Sequence, residues 1–219
     1  MKPSDDLIPA TPSAASYARN ARPPLHKAAA DNPYTLFETW LSQAVDTELN
    51  DANAMSLATL DESGMPDVRI VLLKDVDARG FVFYSNALSA KGQQLQQGKA
   101  ALCFHWKSQR RQVRIRGEIE TVSEAESDSY FSKRARGSQI GAWASDQSRP
   151  VESRQAMVDK VKEIEAIYEG QDVPRPPHWI GWRVKPNSIE FWQDGAFRLH
   201  DRLSFTPSTK GWKKTRLFP

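Results

Sequence analysis

Between positions 33 and 49 apolar residues recur at helical spacing. Leu36, Phe37, Trp40, Leu41, Ala44 and Val45 form one stripe, which predicts a core-facing helix. Asp31 or Asn32 can cap it, and Pro33 suits its first position. Downstream the period changes. Runs at 54–60, 67–74, 81–86, 100–107 and 111–122 read as strands, the first three separated by the turn signals DESGMPD and 77–80. A short helix is predicted over 89–97, with Ser89 as its cap and Gly98 as its stop. Ser123 and Glu126 match a capping box that opens a helix to about position 135. Another helix, at 151–169, carries Met157, Val161, Ile164, Ile167 and Tyr168. The proline-rich DVPRPPHW reads as an extended linker. Strands at 180–185 and 188–193 follow, and then a strand through Arg198. Sequential strands with short connections predict a mainly β (α+β) fold, an antiparallel meander that curls into a barrel with flanking helices. Residues 1–30, rich in Ala, Pro and Ser, read as a flexible segment, and 31–219 as one domain without internal repeats.

Composition narrows the class. The 39% hydrophobic and 26% charged shares are those of a globular chain, and the net charge of +3 is too small for a nucleic-acid-binding tail. The single cysteine, Cys103, rules out an intramolecular disulfide, and its apolar run favours a structural thiol. His105, two residues on, leaves a reactive pair open. No apolar run reaches the length of a membrane span and no signal-peptide core is seen, so the expectation is a cytoplasmic protein without a membrane or nucleic-acid partner.

Four clusters hold the unusual polar residues. In an extended strand, Arg198, His200 and Arg202 share one face, a poor core face but a good anion cradle, with Phe191 and Trp192 upstream as an aromatic wall. A solvated edge strand is the bland alternative. In RIVLLK, Arg69 and Lys74 bracket four apolar residues and point to opposite faces, which by itself fits a strand with solvated ends. In YSNALSAK, Ser85, Ser89, Lys91 and helix N-terminal amides suit a phosphate, or else an ordinary cap with an exposed lysine. In YFSKRARGS, Tyr130, Arg134 and Ser138 share one face if the helix continues. They suit a phosphomonoester, or else form a solvated basic helix end. A fifth feature is the strand at 110–117, where Arg110, Gln112, Arg114 and Arg116 share a face that points to solvent, a ligand or a subunit partner.

Other chemistries lack support. The sequence has no GxGxxG, no P-loop and no GxSxG, and His26, His105, His178 and His200 are too dispersed to be metal ligands, so no metal is expected. An enzyme that borrows a separate cofactor fits better than a self-sufficient hydrolase.

Taken together, RIVLLK, FVFYSN with SAKG, RQVRIRG, YFSKRARGSQIGAWAS with QS, IEFWQ with RLHDR, and the terminal RLFP resemble the pyridoxine/pyridoxamine 5′-phosphate oxidase family over residues 33–219. The resemblance implies a split β-barrel of the FMN-binding type, a homodimer, and FMN at the subunit interface. By motif, Arg69, Ile70, Val71, Leu72, Leu73 and Lys74 would contact FMN, as would Tyr84, Ser85 and Lys91. Gln112, Gln147, Ser148, Trp192 and Arg202 would complete the flavin site, in part from the other subunit. Lys74, Tyr130, Arg134 and Ser138 would grip the substrate phosphate. Arg198 and His200, the catalytic pair, would position the pyridine ring, and Tyr17 corresponds to a tyrosine of an N-terminal segment that folds over the substrate. The implied reaction oxidises pyridoxamine 5′-phosphate or pyridoxine 5′-phosphate to pyridoxal 5′-phosphate, with hydride passing to flavin N5 and dioxygen reduced to hydrogen peroxide. Ala90 departs from the pattern, standing where the family usually has an arginine beside the lysine. Another split-barrel flavin reductase, or a pyridoxal phosphate-binding protein without catalysis, are the alternatives.

Overall fold

The computed structural model describes residues 13–19 (backbone only for 17–19), residue 25 and residues 30–219. Most of the expected flexible segment 1–30, the Tyr17 side chain and His26 lie outside the described residues. In chain order the elements are α1 (Ala14–Arg19), α2 (Pro33–Thr47), β1 (Ala54–Leu60), β2 (Pro66–Leu72), β3 (Asp75–Asp77), β4 (Gly80–Asn86), α3 (Ala90–Leu95), β5 (Lys99–Trp106) and β6 (Arg111–Thr121). They continue with α4 (Glu124–Ser132), α5 (Arg136–Ala144), α6 (Arg154–Ile167), β7 (Trp179–Gln193), a 3-10 turn (Ala196–Arg198), β8 (Asp201–Ser208) and β9 (Gly211–Leu217).

Local signals set the helix starts. Asn32 accepts from the Tyr34 N–H at 2.9 Å to cap α2, and Ser89 caps α3. Ser123 and Glu126 close their capping box on α4. The α2 stripe is buried as predicted at Leu36, Phe37, Trp40 and Ala44, whereas Val45 is exposed. Phe37 meets Phe81 and Phe104 edge-on at 5.0 and 5.1 Å. Such wholly buried rings contribute on the order of 2–3 kcal/mol each. They anchor α2 to one face of the sheet.

Nine antiparallel strands form one sheet in the order β2-β1-β5-β6-β7-β4-β3, with β8 added to β7 and β9 to β8. The expected meander is therefore corrected. Six of the eight pairings join consecutive strands, as a meander does, but β1 also pairs with β5 and β4 with β7, across intervening strands. β2 and β3 lie at opposite edges of that path, yet only Leu73 and Lys74 separate them. Three Cα–Cα steps reach at most about 11 Å, so the sheet curls until its edges meet, giving the split half-barrel. The strands expected at 180–185 and 188–193 are one strand, β7. Its register against β6 shifts at Arg116/Gly117, where Gly117 faces Pro186 and Arg116 faces Ser188. A Cβ on Gly117 would stand 2.0 Å from the Lys185 carbonyl oxygen, so only glycine fits the bulge.

Two further expectations fail. The helix opened by Ser123 stops at Ser132, and a separate helix begins at Arg136. No strand runs through Arg198: Phe197 and Arg198 have φ of 54° and 63°, and β8 starts only at Asp201. Alternation cannot hold across left-handed residues, so Arg198, His200 and Arg202 do not share a strand face. Phe191 is likewise no site wall, because it is fully buried in the main core.

Candidate active site

A cleft of about 750 Å³ opens where the two edges of the curled sheet meet. Ile70, Val71, Leu72 and Lys74 come from β2 and the link after it, and Tyr84, Ser85 and Asn86 from β4. Lys91 on α3, Tyr130 at the end of α4, Arg134 in the α4–α5 link, Ser138 on α5, Gln147 and Trp179 complete the wall. Among the described residues three cations line it, Lys74, Lys91 and Arg134, and no carboxylate does. A concave site with unbalanced positive charge and aromatic faces suits a flat anionic ligand.

Each cation is placed by a different device. Lys91 is the second residue of α3 and donates to Ser89 Oγ at 3.3 Å and to the Gln147 side-chain oxygen. Burial, and then the nearby Arg69 charge, pushes its pKa below the usual lysine value. Lys74 follows β2 and is held by its backbone, whose N–H donates to the Val82 carbonyl at 2.8 Å. Arg134 lies with its Cζ 4.7 Å from the centroid of the Trp179 ring, and burial lowers its pKa while neighbouring Tyr130 opposes the shift. Tyr84, Tyr130 and Trp179 stack nearly parallel: Tyr84–Tyr130 at 4.3 Å and 11°, Tyr84–Trp179 at 5.0 Å and 5°. Burial, with lesser help from the Asp75 and Glu126 carboxylates, raises the Tyr84 pKa, so its hydroxyl stays neutral.

Most of the residues expected around one site thus converge here. Tyr130, Arg134 and Ser138 do so although no single helix carries them, since the break after Ser132 turns the chain back into the cleft. Arg69 stands behind the wall. Its guanidinium donates to Thr59 Oγ1 at 2.5 Å, to Asp67 at 2.6 Å and to Gln94 at 2.6 Å. Leu73 is buried in the main core, and Ser148 is exposed with φ of 71° and does not line the cleft.

Gln112, Trp192, Arg198, His200 and Arg202 form a second group. Gln112 lies opposite Trp192 on β7, and Trp192 opposite Arg202 on β8. The His200 ring is 4.7 Å from that of Trp192. His200 Nδ1 accepts from the Gly195 N–H at 3.1 Å and lies 3.2 Å from an Asp194 carboxylate oxygen. Arg202 is tied to Glu190 at 2.9 Å and donates to the Phe218 carbonyl at 2.9 Å. In the β4–β7 ladder Ser85 faces Ile180, which is twelve residues, roughly 40 Å of strand, from Trp192. Within one protomer the two groups therefore stand at opposite ends of β7.

Trp179, like Asn86 and Ser145, is a cleft residue that sequence reasoning missed. It closes a proline-rich stretch that reads as linker, and only its place as the first residue of β7, opposite Asn86, turns it into the cleft.

The profile of the family described as "Pyridoxamine 5′-phosphate oxidase" matches residues 41–168. That of a "Pyridoxine 5′-phosphate oxidase C-terminal dimerisation region" matches residues 179–219. The chain belongs to the pyridoxamine 5′-phosphate oxidase family. Its dimerisation region spans β7 to β9, which carry the second group except Gln112 on β6. The pyridoxine/pyridoxamine 5′-phosphate oxidase of Caulobacter vibrioides (strain NA1000 / CB15N) is 55% identical over 224 residues, covering 100% of each chain. That of Maricaulis maris (strain MCS10) is 57% identical over 219 residues, covering 98% of this chain and 99% of the relative. Among solved structures, PhzG from Burkholderia lata 383, in complex with tetrahydrophenazine-1-carboxylic acid, is 30% identical with a TM-score of 0.83, covering 91% of this chain and 98% of that one. An FMN-binding protein from Nostoc punctiforme, related to pyridoxamine 5′-phosphate oxidase, shares the fold at a TM-score of 0.69 and 15% identity, covering 87% of this chain and 100% of its own. No helix among the described residues is long and apolar enough to cross a membrane.

Proposed function

We propose that the chain is an FMN-dependent oxidase that acts as a homodimer on pyridoxamine 5′-phosphate and pyridoxine 5′-phosphate and yields pyridoxal 5′-phosphate. The observation that carries this reading is the cleft itself, to which the described residues bring three cations, no carboxylate and a stack of aromatic rings. Two phosphates, one on the cofactor and one on the substrate, account for that charge. The residues present fit the cofactor: Lys91, Ser85 and Gln147 gather polar donors and acceptors at one end of the cleft, and Lys91 meets no carboxylate there. FMN, when bound, supplies a two-electron acceptor that dioxygen reoxidises, giving hydrogen peroxide.

The chain's own residues bind and orient. Lys74, Tyr130, Arg134 and Ser138 offer two cations and two hydroxyls to the substrate phosphate. Anchoring that phosphate fixes the distal carbon of the pyridine substituent, which converts an encounter into a positioned reaction. Trp192, Arg198, His200 and Arg202 belong to the dimerisation region, Gln112 pairs with it from β6, and the partner protomer brings its copies to this cleft. Arg198, exposed on its left-handed turn, is free to reach across such an interface. The proposed compartment is the cytoplasm, in keeping with a free, half-buried Cys103 thiol whose pKa burial raises.

The test is direct. Protein reconstituted with FMN is mixed anaerobically with pyridoxamine 5′-phosphate, and the flavin band should bleach and then recover on admitting air. Flavin-loaded protein that stays yellow under excess substrate would overturn the reading.

A further inference from the structure

Arg134 is an unusual cation in this molecule. It is half-buried, and its guanidinium forms no ion pair among the described residues. Arg69, Arg110, Arg175, Arg183 and Arg202, which are also half-buried or buried, all have a carboxylate partner. Nor does secondary structure aim it. Arg134 follows the C-cap Lys133 and precedes α5, so no helical hydrogen-bond ladder sets the direction of its side chain. Of the two rings its guanidinium lies over, Trp179 is the nearer: Cζ lies 4.7 Å from the Trp179 centroid, against 5.9 Å from that of Phe131.

Trp179 is itself held from every side. It is 5% exposed, its N–H donates to the Pro176 carbonyl at 2.9 Å, and its carbonyl accepts from Arg175 at 2.9 Å. Tyr84 stacks on it at 5.0 Å, and Phe131 meets it edge-on at 5.1 Å. A ring fixed this firmly is a template, whereas a free arginine samples many rotamers. Stacking a guanidinium on an indole face orients its plane while leaving its in-plane N–H fork unspent.

We infer that Trp179 is a positioning residue for substrate binding: its indole face preorganises Arg134 so that the guanidinium edge presents its donors to the substrate phosphate. The inference rests on the proposed function and assigns a role to a residue that does not itself take the phosphate. Preorganisation lowers the cost of ordering the arginine on binding, so the gain appears in affinity for the phosphorylated ligand rather than in the chemical step.

The experiment uses FMN-loaded wild-type protein, Trp179→Phe, Trp179→Leu, Arg134→Ala and the Arg134→Ala/Trp179→Leu double variant. Calorimetric affinities for pyridoxal 5′-phosphate and for pyridoxal, which lacks the phosphate, are measured beside KM and kcat for pyridoxamine 5′-phosphate. Trp179→Leu should weaken pyridoxal 5′-phosphate binding and raise KM by about five- to tenfold, with kcat within about twofold and pyridoxal affinity unchanged. Trp179→Phe should give a smaller effect of the same kind, and it decides the matter if the leucine variant does not fold. In the Arg134→Ala background the tryptophan substitution should add nothing. Equal weakening of both ligands, additivity in the double variant, or an unchanged KM in Trp179→Phe and Trp179→Leu would overturn the inference. Wild-type protein with no affinity for pyridoxal 5′-phosphate and no oxidation would instead overturn the function on which it rests.

Discussion

Arg183, in the middle of β7, and Glu126, in the first turn of α4, form an ion pair at 2.9 Å in which the arginine is only 3% exposed. The same carboxylate accepts from Arg79 and closes the capping box with Ser123. One side chain thus ties the start of α4 to the sheet, and α4 delivers Tyr130 to the cleft. Its partners hold the Glu126 pKa at about 2, below the ordinary 4.5, with the Ser123 backbone N–H contributing most, then the Ser123 hydroxyl, then Arg183 and Arg79. A depressed folded-state pKa means stability that is fully present above the unfolded value and lost as pH falls through the folded one.

Urea midpoints of the wild-type protein should therefore fall between about pH 4.5 and about pH 2 partly through this group. Glu126→Gln should be less stable at neutral pH by about 2 kcal/mol, since buried Arg183 loses a charged acceptor, and its midpoint should vary less across that acid window. Equal midpoints for the two proteins at pH 7 would refute the assignment.

Lys91 is expected to hold the cofactor phosphate. Lys91→Met should weaken FMN binding by about ten- to a hundredfold, a charge-assisted contact of roughly 1.5–3 kcal/mol, while leaving the thermal midpoint of the flavin-free protein nearly unchanged. Because burial lowers the lysine pKa, the FMN affinity of the flavin-free wild-type protein should decline on raising pH before the ordinary 10.5 is reached. The methionine variant should show no such decline. Flavin fluorescence on titration reads both.

The separation of the two groups along β7 predicts complementation between protomers. Arg134→Ala and Arg198→Ala homodimers should each be impaired. Mixed, dissociated and reassociated at random, they should regain about a quarter of the wild-type sites, because each heterodimer then carries one intact site and one doubly damaged site. Absence of any recovery, with heterodimers demonstrated by differently tagged chains, would place both residues in one protomer's site.

Gly181 faces the Tyr84 ring. A Cβ there would stand 2.6 Å from Tyr84 Cε1 and 2.4 Å from Val122 Cγ2. Gly181→Ala should therefore push Tyr84 off its stack with Tyr130 and Trp179. A stability loss of roughly 1–3 kcal/mol should accompany a raised KM for pyridoxamine 5′-phosphate. Thermal denaturation and steady-state oxygen uptake check the two parts separately.

The helices with side-chain caps and most strand cores were legible in the chain itself. The Asn32 cap, the Ser123/Glu126 box and the stop at Gly98 each depend on contacts within a few residues, and β1 occupies the range its alternation predicts. The short β3 and the terminal β9 were not legible. Three residues, or seven mostly exposed ones, carry too little pattern to stand out before a partner strand is known. The Arg198 region misled for the opposite reason. Its residues alternate as a strand should, but the Gly195–Leu199 turn places them on left-handed backbone that no alternation reports.

What the sequence alone determined is the set of elements and the chemical character of the site: period and caps are local properties, and the motif residues that carry phosphate chemistry are present whatever the fold. Tertiary structure decided where that chemistry gathers. β2 and β4 become the two sides of a cleft only because the sheet curls until its edges meet, and Trp179 becomes the platform for Arg134 only because β7 pairs with β4, far away in the chain. Those pairings are selected by burial of the whole core, a sum over distant residues that no short stretch of chain contains.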